Sequence, residues 1–291
     1  MTTPADTPPI DTTPADEPPI DTTPPKDVTP PLAAVLLACT RDPGDARTAA
    51  ALRAALARVA SAPPGDPGWD ALADAALRHG MSGLLYRRVV DLAYETVPQA
   101  VLLGWRQRVV AAGQRSLRMQ RELLQVLDGL EAAGLPALAF KGPALSQQLY
   151  GDAGLRHFID LDVLVQPHQL ATAREVLLGC GYRDTLPLDK VSLTLLQEAE
   201  HHMAFTHTET GASVEVHWRV GPRFAADSLP ADALFARAVP VELLGRKVAS
   251  LGPLDLVVML TVHEAKHSWD RVEGVAAVAS ALRRLSSEEA R

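Results

Sequence analysis

Asp160-Leu161-Asp162 lies between Ile159 and Val163-Leu164-Val165, so two acids interrupt a run that otherwise reads as a buried apolar strand. Side chains on a strand alternate faces at about 3.3 Å per residue, which puts both carboxylates on one face with their Cα atoms roughly 6 to 7 Å apart. Unpartnered, such a pair repels and one member tends to keep its proton. A pair of hard cations such as Mg²⁺ keeps both ionised. The plain alternative is two solvated acids on a half-exposed strand, and the residues upstream weigh against it.

Lys141-Gly142-Pro143 follows the apolar run Leu135 to Phe140, which reads as a strand, and precedes Ala144 to Tyr150, which reads as a short helix. Proline is favoured in a helix's first turn, and the glycine before it lets the backbone approach a ligand closely. A helix N-terminus beside a lysine attracts anions. Strand, glycine turn, short helix and a strand with two acids together form a frame for a nucleoside triphosphate and its metals.

A third acid lies in Val214-Glu215-Val216-His217-Trp218. Alternation puts Glu215 and His217 on one face and the two valines on the other. Beside the Asp160 strand, this strand brings three carboxylates together. His263-Glu264-Ala265-Lys266-His267 competes: it fits H-E-x-x-H, in which two histidines one turn apart bind Zn²⁺ and the glutamate acts as base. The G-x-x-H continuation is missing and only Glu288 or Glu289 is on offer as a third ligand. A zinc hydrolase is therefore the remote alternative, and His263 and His267 are read as packing inward on the Leu256 and Leu260 face, near a substrate phosphate.

These residues resemble the nucleotidyltransferase superfamily typified by DNA polymerase β. Within it the chain is similar to a family of uncharacterised bacterial nucleotidyltransferases with a K-G turn, an L-Y-x(5)-R segment, D-h-D and h-E-h-H-W. The matching residues are Lys141-Gly142, Leu149-Tyr150 with Arg156, Asp160-Leu161-Asp162 and Val214 to Trp218; His263-x-x-x-His267-x-Trp269 also matches. The likeness runs from about Leu135 to Leu285. Pro143 stands where the superfamily's turn usually has Gly or Ser, the gap from Gly142 to Asp160 is longer than usual, and Ala277 stands near a family aspartate.

The resemblance implies an α+β fold, with a mixed-sheet nucleotidyltransferase core flanked by N-terminal and C-terminal helical regions. It implies transfer of a nucleoside monophosphate from an NTP, ATP by default, to a hydroxyl or similar acceptor on a small molecule or a protein, with release of pyrophosphate. Asp160, Asp162 and Glu215 would then hold two Mg²⁺, with Mn²⁺ able to substitute. Lys141, Gly142 and Arg156 would face the phosphates, and His217, His263 and His267 are the candidates for substrate contact. Replacing Asp160 and Asp162 is expected to stop turnover without harming the fold, because it removes two repelling charges. A non-catalytic nucleotide- or partner-binding protein on the same fold is the competing class, distinguished by whether pyrophosphate is released.

The elements that must position these residues fall into four stretches. Residues 1–31 repeat with a period of ten (Thr2-Thr3-Pro4-Ala5-Asp6, then Thr12-Thr13-Pro14-Ala15-Asp16) and read as a disordered acidic tail, since proline blocks regular structure and the few isoleucines cannot form a core. Residues 32–134 read as helices, the longest running from Pro98 to Gly134 with an apolar stripe at Leu102, Trp105, Val109, Ala112, Ser116, Met119, Leu123, Val126 and Leu130. Residues 135–222 alternate strand and helix, with a hairpin from His202 to Arg219 and a plain connection over Val191 to Leu196. Residues 223–291 read as mostly helix, with Pro253 starting one.

With 291 residues the chain can bury a sizeable core. Its net charge of −7 argues against a broad nucleic-acid surface. Two cysteines without a partner motif read as thiols in a reducing cytoplasm, and the lack of a long apolar run or a signal sequence argues against a membrane span or secretion.

Overall fold

The computed structural model describes residues 29–62, 68–186, 190–221 and 229–285. Nearly all of the repetitive segment lies outside these residues. Pro30, at the end of that segment, occupies the first turn of a helix, where its missing N–H is not needed.

Four helices open the described chain: α1 (Pro30–Cys39), α2 (Ala46–Ala60), α3 (Trp69–Arg78) and α4 (Ser82–Leu92). Asp45 starts α2 by accepting a hydrogen bond from the Arg47 amide. Leu36, Leu52, Leu56, Leu72 and Leu85 form a shared helical core. α5 (Gln99–Ala132) follows, 34 residues and about 50 Å long. Its N-terminal third gives Leu102 and Trp105 to the helical core, whereas Leu123, Val126, Leu127 and Leu130 pack under the sheet. One helix thus fixes the helical region against the strands.

The sheet has the order β1-β2-β5-β4-β3, where β1 is Ala137–Ala139, β2 Asp160–Val165, β3 Tyr182–Asp184, β4 His202–His207 and β5 Ser213–His217. β2 and β5 are parallel and the other pairs antiparallel. This is the mixed sheet of an α+β fold. Leu161, Val163, Val165, Val214, Val216, Met203 and Phe205 point to one face and are buried beneath α5 and α7 (Leu170–Gly179). The other face is apolar only beside β1, where Leu138 and Leu164 meet α6 (Gly142–Tyr150), α10 (Pro253–Lys266) and α11 (Val272–Arg284). Beyond that edge it is polar, and there the candidate site lies.

The segment between α6 and β2 explains the long gap from Gly142 to Asp160. It braces the helical region: Ser116 donates to the Ala153 carbonyl at 2.9 Å, and the Leu155 carbonyl approaches α4 so closely that a Cβ on Gly83 would be 2.5 Å from it.

Two stretches differ from expectation. Val191 to Leu196 belongs to a helix, α8 (Lys190–Ala199), rather than a plain connection. The buried Trp218 donates its indole N–H to the carbonyls of Gln197 and Glu200 at the end of that helix. After α9 (Ala231–Ala236) the chain forms a hairpin, β6 (Val239–Leu243) and β7 (Arg246–Ser250), within the region expected to be mostly helical. Its loop, Leu244-Gly245, has positive φ at both residues (51° and 80°), the geometry that suits a two-residue hairpin, although leucine rarely adopts it.

Candidate active site

Strand register assembles the acids. β2 and β5 pair in parallel with Asp162 opposite Glu215, so two side chains that alternation aims at the same face stand side by side. Asp160 is two residues earlier on that face. β4 runs antiparallel to β5 and pairs His202 with His217, adding both imidazoles to the row, while Ala204 beside Glu215 leaves space above it. β1 runs antiparallel to β2 with its last residue, Ala139, opposite Val163, so the chain just beyond it brings Lys141 to Asp162: Nζ donates to Oδ1 at 2.6 Å.

Gly142 makes the turn possible. Its φ is +55°, and a Cβ would lie 3.3 Å from the Asp160 carbonyl oxygen, so the turn that starts α6 presses directly on β2. Pro143 fills the first turn of α6 and is buried.

Asp162 is almost wholly buried, at 2 % exposure. Oδ1 accepts from Lys141 and lies 3.0 Å from His217 Nε2, which is also 3.2 Å from Glu215 Oε2. Oδ2 is buried with no hydrogen-bond partner among the described residues. One ligand atom each from Asp162, Glu215 and His217 falls within a 4.8 Å cluster. An unsatisfied buried carboxylate oxygen beside a second carboxylate and an imidazole suits a divalent cation.

The electrostatics follow from this packing. Burial would raise the Asp162 carboxyl, but Lys141 and His217 outweigh it and hold it well below the usual carboxylate range. Asp160 has no such help: burial first, then the charges of Asp162 and Glu215, push it up to about 6 against the pull of Lys141. Glu215 is lowered, because its hydrogen bond from His217 helps overcome its burial. His217 is raised by Asp162 and Glu215 despite burial, and Lys141 is raised by Asp162, also against burial.

The contacts of Asp162 argue against the expectation that it can be removed without cost to the fold. Its carboxylate is the partner of the partly buried Lys141 ammonium and the buried His217 imidazole, and deleting it would leave both without that partner.

A cleft of about 250 Å³ opens over this row. Lys141, Asp160, Glu215, His202 and His217 line its sheet side, and His263 and Lys266 of α10 line it with His267, which caps that helix. His263 and His267 thus share the site with the acids. Burial lowers both, His263 to about 3, and burial also lowers His201, at the cleft's end, to about 4. These imidazoles are neutral near pH 7.

The zinc-hydrolase alternative gains nothing here. Glu264, its would-be base, is buried on α10 against Gly274, where a Cβ would be 1.9 Å from Oε2. It does not line the cleft with the two histidines.

Arg156 is not brought into the cleft. Its guanidinium forms a buried bidentate pair with Glu273 of α11, with Nη2 3.0 Å from Oε2. Ala277, where the family pattern suggests an aspartate, is fully buried among Leu256, Leu260 and Ala281, a place that admits only a small apolar side chain. Lys266 is a cleft residue that the sequence did not point to, and His202 is one of several histidines whose role it left open between substrate contact and structure. The strand alternation of His202 is a usable signal once the β4–β5 register is known, whereas Lys266 has no local signal of its own.

A larger cleft, about 490 Å³, lies between the end of α5, β1 and β7 and is lined by Leu127, Leu135, Ala137 and Val248. It contains no acid cluster and lies apart from the site.

Residues 65–290 match the family described as uncharacterised nucleotidyltransferase, and the chain belongs to that family. No curated protein sequence matches it significantly. Among solved structures, it is similar to the solution structure of the antibiotic-resistance factor ANT(2″)-Ia, with TM-score 0.42, 14% identity, and coverage of 60% of this chain and 87% of that one. It is also similar to the crystal structure of ANT(2″)-Ia in complex with adenylyl-2″-tobramycin, with TM-score 0.43, 13% identity, and coverage of 58% and 90%. Among the described residues, no helix is long and apolar enough to cross a membrane.

Proposed function

We propose that this chain is a metal-dependent nucleotidyltransferase that moves a nucleoside monophosphate from an NTP, with ATP as the default donor, to a hydroxyl on a small molecule or a protein in the cytoplasm. The observation that carries the reading is the parallel pairing of Asp162 with Glu215, with Asp160 on the same face and Lys141 in the same cleft. Asp160, Asp162 and Glu215 would hold two Mg²⁺. When bound, the ions neutralise the triphosphate and lower the pKa of the acceptor hydroxyl.

The side chains supply the rest. Lys141 and Lys266, from opposite walls of the cleft, offset charge on the phosphates and the departing pyrophosphate. Glu215 accepts the acceptor's proton. His263 and His267, being neutral, orient the substrate through hydrogen bonds instead of attracting phosphate as cations. Arg156 holds the loop before β2 in place through Glu273.

The test is a thermal-stability panel of wild type and Asp160→Asn with each of the four NTPs, with and without Mg²⁺, alongside a pyrophosphate-release assay with small-molecule and protein hydroxyl acceptors. An NTP at about 100 times its Kd adds roughly 2.7 kcal/mol of stability. Mg²⁺-dependent stabilisation by one NTP, lost in the variant and accompanied by pyrophosphate release, is the expected result. No stabilisation by any NTP overturns the proposal. Stabilisation without release across the acceptors moves the chain to the nucleotide-binding class.

A further inference from the structure

We infer that His217 Nε2 is itself a metal ligand alongside Asp162 and Glu215, making this a mixed nitrogen and oxygen site that takes Mn²⁺ more tightly than Mg²⁺. The inference rests on the nucleotidyltransferase reading and deepens it by naming the ligand set.

Three observations support it. First, Nε2 lies 3.0 Å from Asp162 Oδ1 and 3.2 Å from Glu215 Oε2. Donors bound to one ion at about 2.0 to 2.2 Å are separated by roughly 2.8 to 3.6 Å, from octahedral to tetrahedral shells, so the Nε2–Oε2 spacing fits two ligands of a single ion, with the Asp162 carboxylate against the same nitrogen. Second, the ring's other nitrogen, Nδ1, lies 3.4 Å from the Arg219 carbonyl oxygen. A backbone carbonyl on one ring nitrogen is the usual arrangement for a ligating histidine, since it holds the N–H there and leaves the other nitrogen's lone pair for the metal. A bare lone pair facing two carboxylate oxygens is repelled, so Nε2 must carry either a proton or a cation. Third, the ring cannot easily turn away: it is 3 % exposed, packs edge-on against Phe140 at 4.9 Å and stacks on His202 at 5.0 Å.

The donor set decides the preference. Imidazole nitrogen suits first-row transition ions, whereas Mg²⁺ favours oxygen and sheds water reluctantly. Lys141 already occupies Asp162 Oδ1, and the unpartnered Oδ2 leaves the same carboxylate a second oxygen for the ion.

The experiment is a Mn²⁺ titration of the full chain, followed by electron spin-echo spectroscopy of the Mn²⁺-loaded protein, which detects a coordinated ¹⁴N directly. Wild type is expected to bind Mn²⁺ at least tenfold more tightly than Mg²⁺ and to show imidazole ¹⁴N modulation. His217→Gln should lose the modulation and bind Mn²⁺ at least tenfold more weakly, while His202→Gln keeps the modulation. Wild-type Mn²⁺ binding that needs Asp162 but shows no ¹⁴N modulation overturns the inference and leaves the nucleotidyltransferase reading intact. Modulation that persists in His217→Gln also overturns it, by assigning the ligand to another histidine. No Mn²⁺ or Mg²⁺ binding at all by wild type overturns both. The wild-type spectrum needs no variant, so a poorly folded His217→Gln does not rescue the idea.

Discussion

Arg156 offers the sharpest separation between a phosphate-binding role and a structural one. Both members of the Arg156–Glu273 pair are 13 % exposed at the side chain, so the pair is desolvated and bidentate. Removing one member of such a pair leaves a buried charge and costs about 3 to 5 kcal/mol, whereas replacing both with apolar residues of similar volume is often close to neutral. Glu273→Ala should therefore lower stability by about 3 to 5 kcal/mol, which for a chain of this size lowers Tm by on the order of 10 °C. Arg156→Met with Glu273→Leu should recover most of the loss. Urea denaturation of wild type, the two single variants and the double variant gives the coupling energy, and NTP-dependent stabilisation of the double variant reports on the site. A coupling energy near zero would refute the structural role. A double variant that folds as stably as wild type but no longer responds to Mg²⁺ and NTP would return Arg156 to the phosphates.

Four further outcomes follow from the same geometry. Burial, then the neighbouring Glu273, pushes Glu264 from its ordinary 4.5 up to about 7, with Arg156 opposing. The folded protein thus keeps a proton that the unfolded chain releases, so stability is lost as pH rises from about 4.5 through 7, by on the order of 3 kcal/mol. Glu264→Gln should flatten that fall, which urea melts at pH 5 and pH 8 can check. Gly142→Ala should cost about 1 to 2 kcal/mol for a left-handed residue with a Cβ and displace Lys141 from Asp162, so Mg²⁺·NTP stabilisation should fall along with the urea midpoint. Asp162→Ala should destabilise the free protein more than Asp160→Ala does, because only Asp162 has Lys141 and His217 as partners; equal melting temperatures would contradict this. Burial raises the Cys39 thiol to about 12 while Cys180 is exposed, so a thiol-titrating reagent should find one reactive group in the native protein and two after denaturation.

Much of the candidate site's geometry was legible because its signals are local. Asp160 and Asp162 interrupt an apolar strand, Glu215 and His217 alternate with valines, and Lys141-Gly142-Pro143 bears the marks of a strand-to-helix turn; each is a periodicity or a backbone preference contained within a few residues. The long α5 and its stripe were legible for the same reason, although Val109 and Ala112, midway along the stripe, are only partly buried.

What the linear pattern could not specify was which strands become neighbours and what each polar group finds opposite it. The parallel pairing that places Glu215 beside Asp162, and the register that adds His202, depend on burying one whole face of the sheet under α5 and α7. Arg156 lies 117 residues from Glu273, and only the docking of α11 reveals that its charge is already matched. The hairpin at Leu244-Gly245 has no asparagine or aspartate to announce its turn, and its positive φ at leucine is held by packing of Val241, Leu243 and Val248 against the sheet core. Residue types and local spacing determined which chemistry this chain can attempt. Tertiary packing decided which of those residues meet, because burial and charge pairing are settled between segments that are far apart in the chain.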